Sequence, residues 1–501
     1  MGSATDYGEE ESALLSFEDG IAELSEEEDS LFEDVEGFTR EALDEGLPAG
    51  AEFLAVTIPA PYEALEKFLR IVQRDYGFLW RSPSGAEIAT GGCARHIPAA
   101  GDDRFRVLRR EVEALWPTIA VRNAPGTDAP PMVVGGAAFA PHVPPIEPWD
   151  EFATDAFTLP RWTYRRDGIR ASLTLTVSRD ELAAPGAVAA LIDETRELVR
   201  TIALETATSR ICRLDIPFSA LHQTSREDWA AYVGAIQSVI GNGEFDKIVA
   251  ARRCVVDLAE EVEDTVFMAR LFASYPDCTH FAVRRERSTF LGATPETLFR
   301  KTGNTLKTHA LAGTRKIQDG TRSDSTRDAA ALSRSPKDLA EHGLVVKKIC
   351  EDLFSMCRRI RYGSSPHARQ VRNLVHLQTP ISAELLDDVH AFDLVDTLHP
   401  TPAVGGFPAA TAADWIRRHE PQERGWYTGI VGWVDASGDA EFGVSIRCGV
   451  LTSRRAYVFS GAGIVQSSRS DAEYDETADK MQPILRALGL LPGRRESATT
   501  E

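Results

Sequence analysis

Near the end of the chain, the stretch AEYDETADK (472–480) sets Glu473 and Glu476 three residues apart, with Lys480 four residues beyond. On a helix that spacing puts both carboxylates on one face. A hard cation such as magnesium takes oxygen ligands, typically one or two carboxylates with water and a bound substrate. A plainer reading fits the same residues. Ser470 would be an N-cap with Glu473 closing a capping box, and Glu476 with Lys480 an ordinary helix pair. A further carboxylate, Glu341, stands in KDLAEH (337–342), which opens a second helix where a first-turn acid suits the macrodipole. If the two helices meet, Glu341 and Glu476 meet a magnesium ion's demand.

The elements that must position these groups follow from periodicity. AEFLAVTI (51–58) has the run of a buried strand, and YEALEKFLRIVQ (62–73) has helical spacing. Residues 78–185 divide into short strands broken by Gly and Pro. Ser225 can cap a helix that Gly241 and Gly243 stop. DKIVAARRCVVDL (246–258), residues 280–300 and TLKTHALAGT (305–314) read as strands. EHGLVVKKICEDLF (341–354) is helical, with Val345, Ile349 and Leu353 on one stripe. Residues 427–465 read as an antiparallel meander turning at Ser437-Gly438 and near Arg454. Strands and helices intersperse without a regular βαβ period, which predicts an α+β fold.

Charge divides the chain. The net charge is −21, yet residues 1–50 hold seventeen acidic residues against one arginine, leaving only −5 for the rest. Residues 1–48 are therefore expected to be an acidic, disordered tail, whose leucines and phenylalanines would allow a short docking helix. Residues 49–492 would form a single domain and 493–501 a disordered end. A near-neutral body argues against nucleic acid as a partner. There is no apolar run of membrane-spanning length, and neither signal-peptide nor transit-peptide character at the start. Seven scattered cysteines, at 93, 212, 254, 278, 350, 357 and 448, suggest reduced thiols in the cytoplasm. Without CxxC or HExxH spacing, zinc is not expected.

Ten motifs in order, FDKIVAAR, LGATPETLF, HALAGT, KDLAEH, VHLQTP, HPTPAVGGFP, YTGIVGW, SIRC, GAGIV and EYDETADK, resemble those of the chorismate-utilising enzymes over roughly 225–490. The resemblance implies two antiparallel β-sheets packed as a sandwich with helices outside. It implies chorismate as substrate and Mg2+ as cofactor, held by Glu341 and Glu476, with Glu473 direct or through water. Arg447 and Lys480 would pair with substrate carboxylates, and the main chain at Gly461 and Gly463 would receive another. His376, Ala403 and Tyr427 would line the pocket, with Gly313 and Thr314 of HALAGT also at the substrate. Lys247 matches the base that activates water, and Glu296 of GATPE the general acid. Both must work against their usual charge states, which desolvation favours. Read alone, Lys247 would be a strand-edge charge, Glu296 a first-turn helix residue after Pro295, and His376 and His399 structural histidines.

Within the family, Lys247 speaks against the ammonia-using members, and Ala312 against those carrying a lysine there. Ala403 resembles the isochorismate synthases, whereas salicylate synthases tend to have a hydroxyl residue. Tyr427 occurs in both groups and leaves pyruvate elimination as an alternative. The expected reaction is isomerisation of chorismate to isochorismate, feeding menaquinone, siderophore or salicylate biosynthesis. A rival of another class is an inactive relative that acts as a scaffold through its acidic tail. Oligomeric state is left open, a monomer included.

Overall fold

The computed structural model describes residues 26–490 apart from 73–74, 153, 205–217, 317–326, 328 and 372–373; for 26–32, 155, 312–316, 337, 341, 371 and 374 it describes the main chain alone. Two sheets dominate. The first runs Ile119–Asn123, Phe53–Ala60, Arg170–Ser178, Asp155–Asp167, Glu87–Ala99, Gly77–Arg81, Thr279–Arg284, Ser288–Thr294, Cys448–Thr452, Arg455–Ile464, Lys247–Leu258 and Phe218–Gln223. Only its first pair is parallel. The second runs Met132–Ala137, Ile430–Asp435, Ala440–Val444, Thr297–Thr302, Thr305–Lys316 and Leu374–Leu385, with Cys357–Tyr362 and His367–Val371 sharing the last edge. The long strand Asp155–Asp167 belongs to both. Its start pairs with Met132–Ala137 and its end with Arg170–Ser178.

The sheets face each other across an aromatic layer. Phe78, Trp80, Phe281, Phe290 and Phe459 of the first meet Met132, Val134 and Val431 of the second. Helices cover the outer faces. Leu65–Ile71, Ala187–Leu204, Asp264–Ser274 and Ser470–Ala487 pack on the first sheet and Ala391–Leu398 on the second, while Arg104–Leu115 packs between the first-sheet strand Glu87–Ala99 and the helix Ala391–Leu398. Each large apolar side chain so buried contributes about 1.5–3 kcal/mol. This is the α+β sandwich that the sequence predicts.

Three expectations need correction. The tail does not extend to residue 48: Glu26–Glu45 is a helix whose Val35, Ala42 and Leu43 are buried against Leu54, Val56 and the helix Ala187–Leu204. Its apolar residues recur at helical spacing, and Arg196 and Arg122 pair with Glu36 and Glu45. The docking helix that the apolar residues allowed is present, and it docks on the chain's own core. Residues 1–25 and 493–501, with the tails expected there, lie outside the described residues. Second, Arg104–Leu115 is a helix where only short strands were expected; Phe105, Leu108, Val112 and Leu115 supply its buried face. Third, the meander over 427–465 is two hairpins in different sheets. Ile430–Asp435 pairs with Ala440–Val444 in the second sheet, while Cys448–Thr452 pairs with Arg455–Ile464 in the first.

That third correction locates the site. The chain passes from the second sheet to the first between Val444 and Cys448. It passes the other way at Pro295 and Glu296, between Ser288–Thr294 and Thr297–Thr302. The two passages run side by side. Val444 N–H donates to Glu296 O at 3.0 Å, and Ala293 N–H to Arg447 O at 3.1 Å. Thr294 Oγ1 donates to Val444 O at 2.7 Å.

Candidate active site

Leaving one sheet for the other requires an abrupt turn of the backbone. Thr428 (φ 61) and Arg447 (φ 52) are the non-glycine residues of the described chain held at positive φ. Such conformations cost of order 1–3 kcal/mol each and persist where the surroundings impose them. Here Thr428 N–H donates to Ser445 O at 2.8 Å and Ser445 N–H to Gly429 O at 3.0 Å, which pins the two turns together. Both residues line one cavity of about 120 Å³, and the turn at Arg447 carries its guanidinium to the cavity wall.

Seven of the expected site residues line this cavity: Glu296, His376, Ala403, Tyr427, Arg447, Gly461 and Lys480. Glu296 is not a helix residue. It sits in the sheet-to-sheet passage, 8% exposed, with Thr401 Oγ1 donating to its Oε1 at 3.3 Å. Burial pushes its carboxyl up to about 7, against the opposing pull of Thr401, Lys247 and Lys480. It therefore holds a proton far more readily than an ordinary glutamate. Burial, with Arg447 and Lys480 nearby, pushes the His376 imidazole down to about 3, so it is neutral. The Tyr427 phenol, also buried, is held well above its usual range and stays protonated.

Lys247 begins the strand Lys247–Leu258, as expected, and its side chain crosses to the neighbouring strand over Gly463. A β-carbon on Gly463 would stand 2.4 Å from Lys247 Cε and 3.2 Å from Nζ. Glycine at 463 is thus needed for space, and its neighbour Gly461 likewise makes room for the Tyr427 hydroxyl, 3.0 Å from a β-carbon there. Gly461 and Gly463 face Ala251 and Val249 across the ladder. Those partners send their own N–H groups elsewhere, Ala251 to Glu420 Oε2 and Val249 to Gly405 O. These are consequently the widely spaced pairs, in which the N–H groups of Gly461 and Gly463 turn outward from the ladder. Lys480 Nζ donates to Gly461 O at 2.9 Å on that open edge. Two outward N–H groups and an ammonium form a fit receptor for a carboxylate.

Gly463→Ala is expected to leave the fold intact, since only the flexible end of Lys247 must move, and to displace the amine. Turnover should drop by about ten- to a hundredfold, with substrate binding within a few-fold, because a displacement near 1 Å can cost that much. Steady-state kinetics beside a thermal melt checks this; an unchanged kcat would mean the amine's position does not matter.

The helix Ser470–Ala487 carries the acidic residues. Its N-cap is Arg469 rather than Ser470, whose carbonyl instead receives Trp229 Nε1–H at 3.1 Å. Glu473 accepts from Ser468 Oγ at 2.8 Å, in place of the expected capping box. Lys480 pairs with Glu476 at 2.7 Å. Burial raises the Glu473 carboxyl, helped by the charge of Glu476. Glu476 is held below its usual range, because Lys480 and Arg447 outweigh its own burial. Two half-buried carboxylates one turn apart, one of them short of positive charge, fit a hard oxygen-seeking cation. Among the described residues no group of three metal-ligating side chains forms. The Glu341 side chain lies outside the described residues; its main chain is in the second turn of the helix Pro336–Leu353, since Ser335 is the N-cap and Asp338 the first-turn acid. Gly313 and Thr314 are described by main chain only. Thr314 stands opposite His376 across the ladder, and Gly313 falls in the irregularity beside Ala312.

Two sets of positioning residues were not singled out from the sequence. Arg252, 1% exposed, donates to Thr477 Oγ1 at 2.6 Å and lies over the Tyr474 ring at 3.9 Å, so it fixes the acidic helix to the strand that carries Lys247. An arginine within the apolar run KIVAARRCVVDL was the available signal. Arg424 and Glu420 form a buried pair, each with a side chain 3% exposed. Arg424 also donates to Val404 O, Val249 O and Thr428 Oγ1, at 2.8, 2.7 and 3.3 Å. All three acceptors belong to cavity-lining residues. Their i,i+4 spacing in EPQER looks like an exposed helix pair, which hid them.

Comparison with known proteins gives a consistent picture. The family described as chorismate binding enzyme matches residues 52–489. The salicylate biosynthesis isochorismate synthase of Pseudomonas aeruginosa is 34% identical over 421 residues, covering 83% of this chain and 86% of that protein. The isochorismate synthase MenF of Bacillus subtilis is 32% identical, covering 72% of this chain and 75% of that protein. Among solved structures, the menaquinone-specific isochorismate synthase MenF of Escherichia coli superposes with a TM-score of 0.76 at 26% identity, over 92% of this chain and all of that one.

Proposed function

We propose, since this chain belongs to the chorismate-binding enzyme family, that it converts chorismate to isochorismate by adding water at C2 and expelling the C4 hydroxyl. The observation that carries the reading is the buried Glu296 carboxyl in the wall of the cavity that Arg447 and Lys480 also line, with Lys247, which is over Gly463 and not among the lining residues, within electrostatic reach. Adding water and removing hydroxide needs a base and an acid at once. Lys247 takes a proton from the attacking water, and Glu296 gives its proton to the departing oxygen. Arg447, Lys480 and the N–H groups of Gly461 and Gly463 hold the substrate carboxylates. His376 and Tyr427, both neutral, donate or accept hydrogen bonds at the ring. Ala403 puts no hydroxyl at its own place on the wall. Gly313 and Thr314 would complete the wall opposite His376.

We further propose magnesium as cofactor, held by Glu476 and Glu473 with Glu341 completing the set. When bound, the ion would fix the ring carboxylate and offset its charge. Among the described residues no helix is long and apolar enough to cross a membrane. Six cysteines, at 93, 254, 278, 350, 357 and 448, are free thiols, as a reducing compartment would keep them, and we assign the enzyme to the cytoplasm; Cys212 lies outside the described residues. The relatives' names include salicylate, vibriobactin and menaquinone routes, and isochorismate would serve any of them.

The deciding experiment incubates the protein with chorismate and Mg2+ and separates the products. Isochorismate without pyruvate is expected. Salicylate plus pyruvate would reassign the chain to salicylate synthesis, and no turnover at any magnesium level would favour an inactive relative. A pH series adds a second check. Because Glu296 must be protonated to act, kcat/KM should fall as pH rises through about 7. A profile flat from about pH 6 to about pH 9 would remove Glu296 as the acid.

A further inference from the structure

Behind Glu296 lies a second cavity, of about 210 Å³, that shares only Glu296, Leu311 and Ala403 with the first. Its inner end is the buried Glu296 with Thr401. Its outer end reaches the surface between the helices Pro336–Leu353 and Ala409–His419, where Ala410 is exposed and Lys348 and Asp352 pair in a half-buried bridge. The volume has room for several waters. Thr308 and Thr397 add hydroxyls along the wall.

The reaction proposed above creates a demand that this cavity meets. As the oxygen of one water bonds to C2, its proton passes to Lys247. The ring double bonds shift, the C4–O bond breaks, and the departing oxygen takes the Glu296 proton and is released as water. One water is consumed and one released, and no oxidant or reductant takes part. Each turnover leaves Lys247 carrying an extra proton and Glu296 ionised. Glu296 must then regain a proton, and the released water must leave, while the ring occupies the first cavity.

We propose that the second cavity is the water port of Glu296: the oxygen expelled from C4 leaves through it, and solvent protons return along it past Asp352 and Thr401. The inference rests on Glu296 being the acid. Thr401 Oγ1, already bonded to Glu296 Oε1, is the innermost member of the path. The outer members are positioned away from the substrate cavity, so they can be altered without touching the groups that bind chorismate.

Two variants test it in the full-length protein with chorismate and Mg2+. Ala410→Trp narrows the mouth at an exposed position in the first turn of its helix, and Asp352→Asn removes the acidic group there. Chorismate labelled with ¹⁸O at its C4 hydroxyl is allowed to equilibrate, and the label remaining in recovered chorismate is measured against product formed. In the unmodified protein the expelled oxygen escapes and label washes out. In the variants kcat should fall by about tenfold with KM within about twofold, and recovered chorismate should keep more label, because a trapped water re-adds at C4. Variants that melt like the unmodified protein and keep both its kcat and its washout would overturn the port. If one variant fails to fold, the other decides. Absence of isochorismate from the unmodified protein would instead defeat the isomerase reading itself.

Discussion

Lys247→Ala is expected to lower isochorismate formation by about 10²–10⁴, or about 3–5 kcal/mol of transition-state stabilisation, while chorismate still binds. The amine lies over Gly463 at the start of its strand, on the rim of the groups that hold the substrate, and is not one of their charged anchors. Arg447, Lys480 and the outward N–H groups of Gly461 and Gly463 all remain in the variant. Affinity should thus change little and kcat should take the loss, the pattern of a group that acts only in the transition state. Titration calorimetry with chorismate, beside a product assay, separates the two quantities. Glu296→Gln is the companion. It should lose a similar factor and also lose the fall of kcat/KM above about pH 7, because the titrating carboxyl is gone. Equal loss of affinity and turnover in Lys247→Ala would make it a binding residue. Unchanged turnover would leave the water without its proposed base.

How much of this was legible beforehand differs from residue to residue, for physical reasons. Strand and helix existence followed from periodicity wherever one face is buried: Lys247–Leu258 and Pro336–Leu353 fall within a few residues of expectation. Ser225 caps its helix as read, with Asp228 N–H donating to Ser225 Oγ at 3.0 Å. Local signals failed where tertiary partners decide. Ser470 has the right chemistry for a cap, but Trp229 and Ser468 compete for the groups involved. Nothing local in YTGIVGWVDASGDAEFGVSIRCGV tells that its strands part into two sheets. The tell-tale is the positive φ of Arg447, a backbone property that no arginine advertises. The resemblance of motifs supplied the members of the site, whereas the sheet-to-sheet passages explain why Glu296 and Arg447 stand beside each other. Buried ionic anchors are the hardest to foresee, because a charged pair at helical spacing is ordinarily solvated.

Those anchors set the second large effect. Arg424→Met is expected to destabilise the protein by about 3–5 kcal/mol, the usual loss on stripping one partner from a buried ion pair. All five guanidinium donors are used: two on Glu420, at 2.5 and 2.8 Å, and the others on Val404 O, Val249 O and Thr428 Oγ1. Removing them leaves the Glu420 charge buried, with Ala251 N–H and the Tyr232 hydroxyl, among the described residues, still donating to it. It also strands two carbonyls, each costing about 1–3 kcal/mol unless water reaches them. The double variant Glu420→Leu/Arg424→Met separates the contributions. If the ion pair were the whole story, replacing both charges would restore stability, as apolar replacement of buried pairs often does. Because the guanidinium also ties strand Lys247–Leu258 to the loop at Val404 and the turn at Thr428, only partial recovery is expected. Urea midpoints for the wild type, both single variants and the double variant give the coupling directly. Full recovery would reduce Arg424 to a charge partner. Partial recovery with weakened turnover would mark it as the brace that holds three walls of the cavity in register.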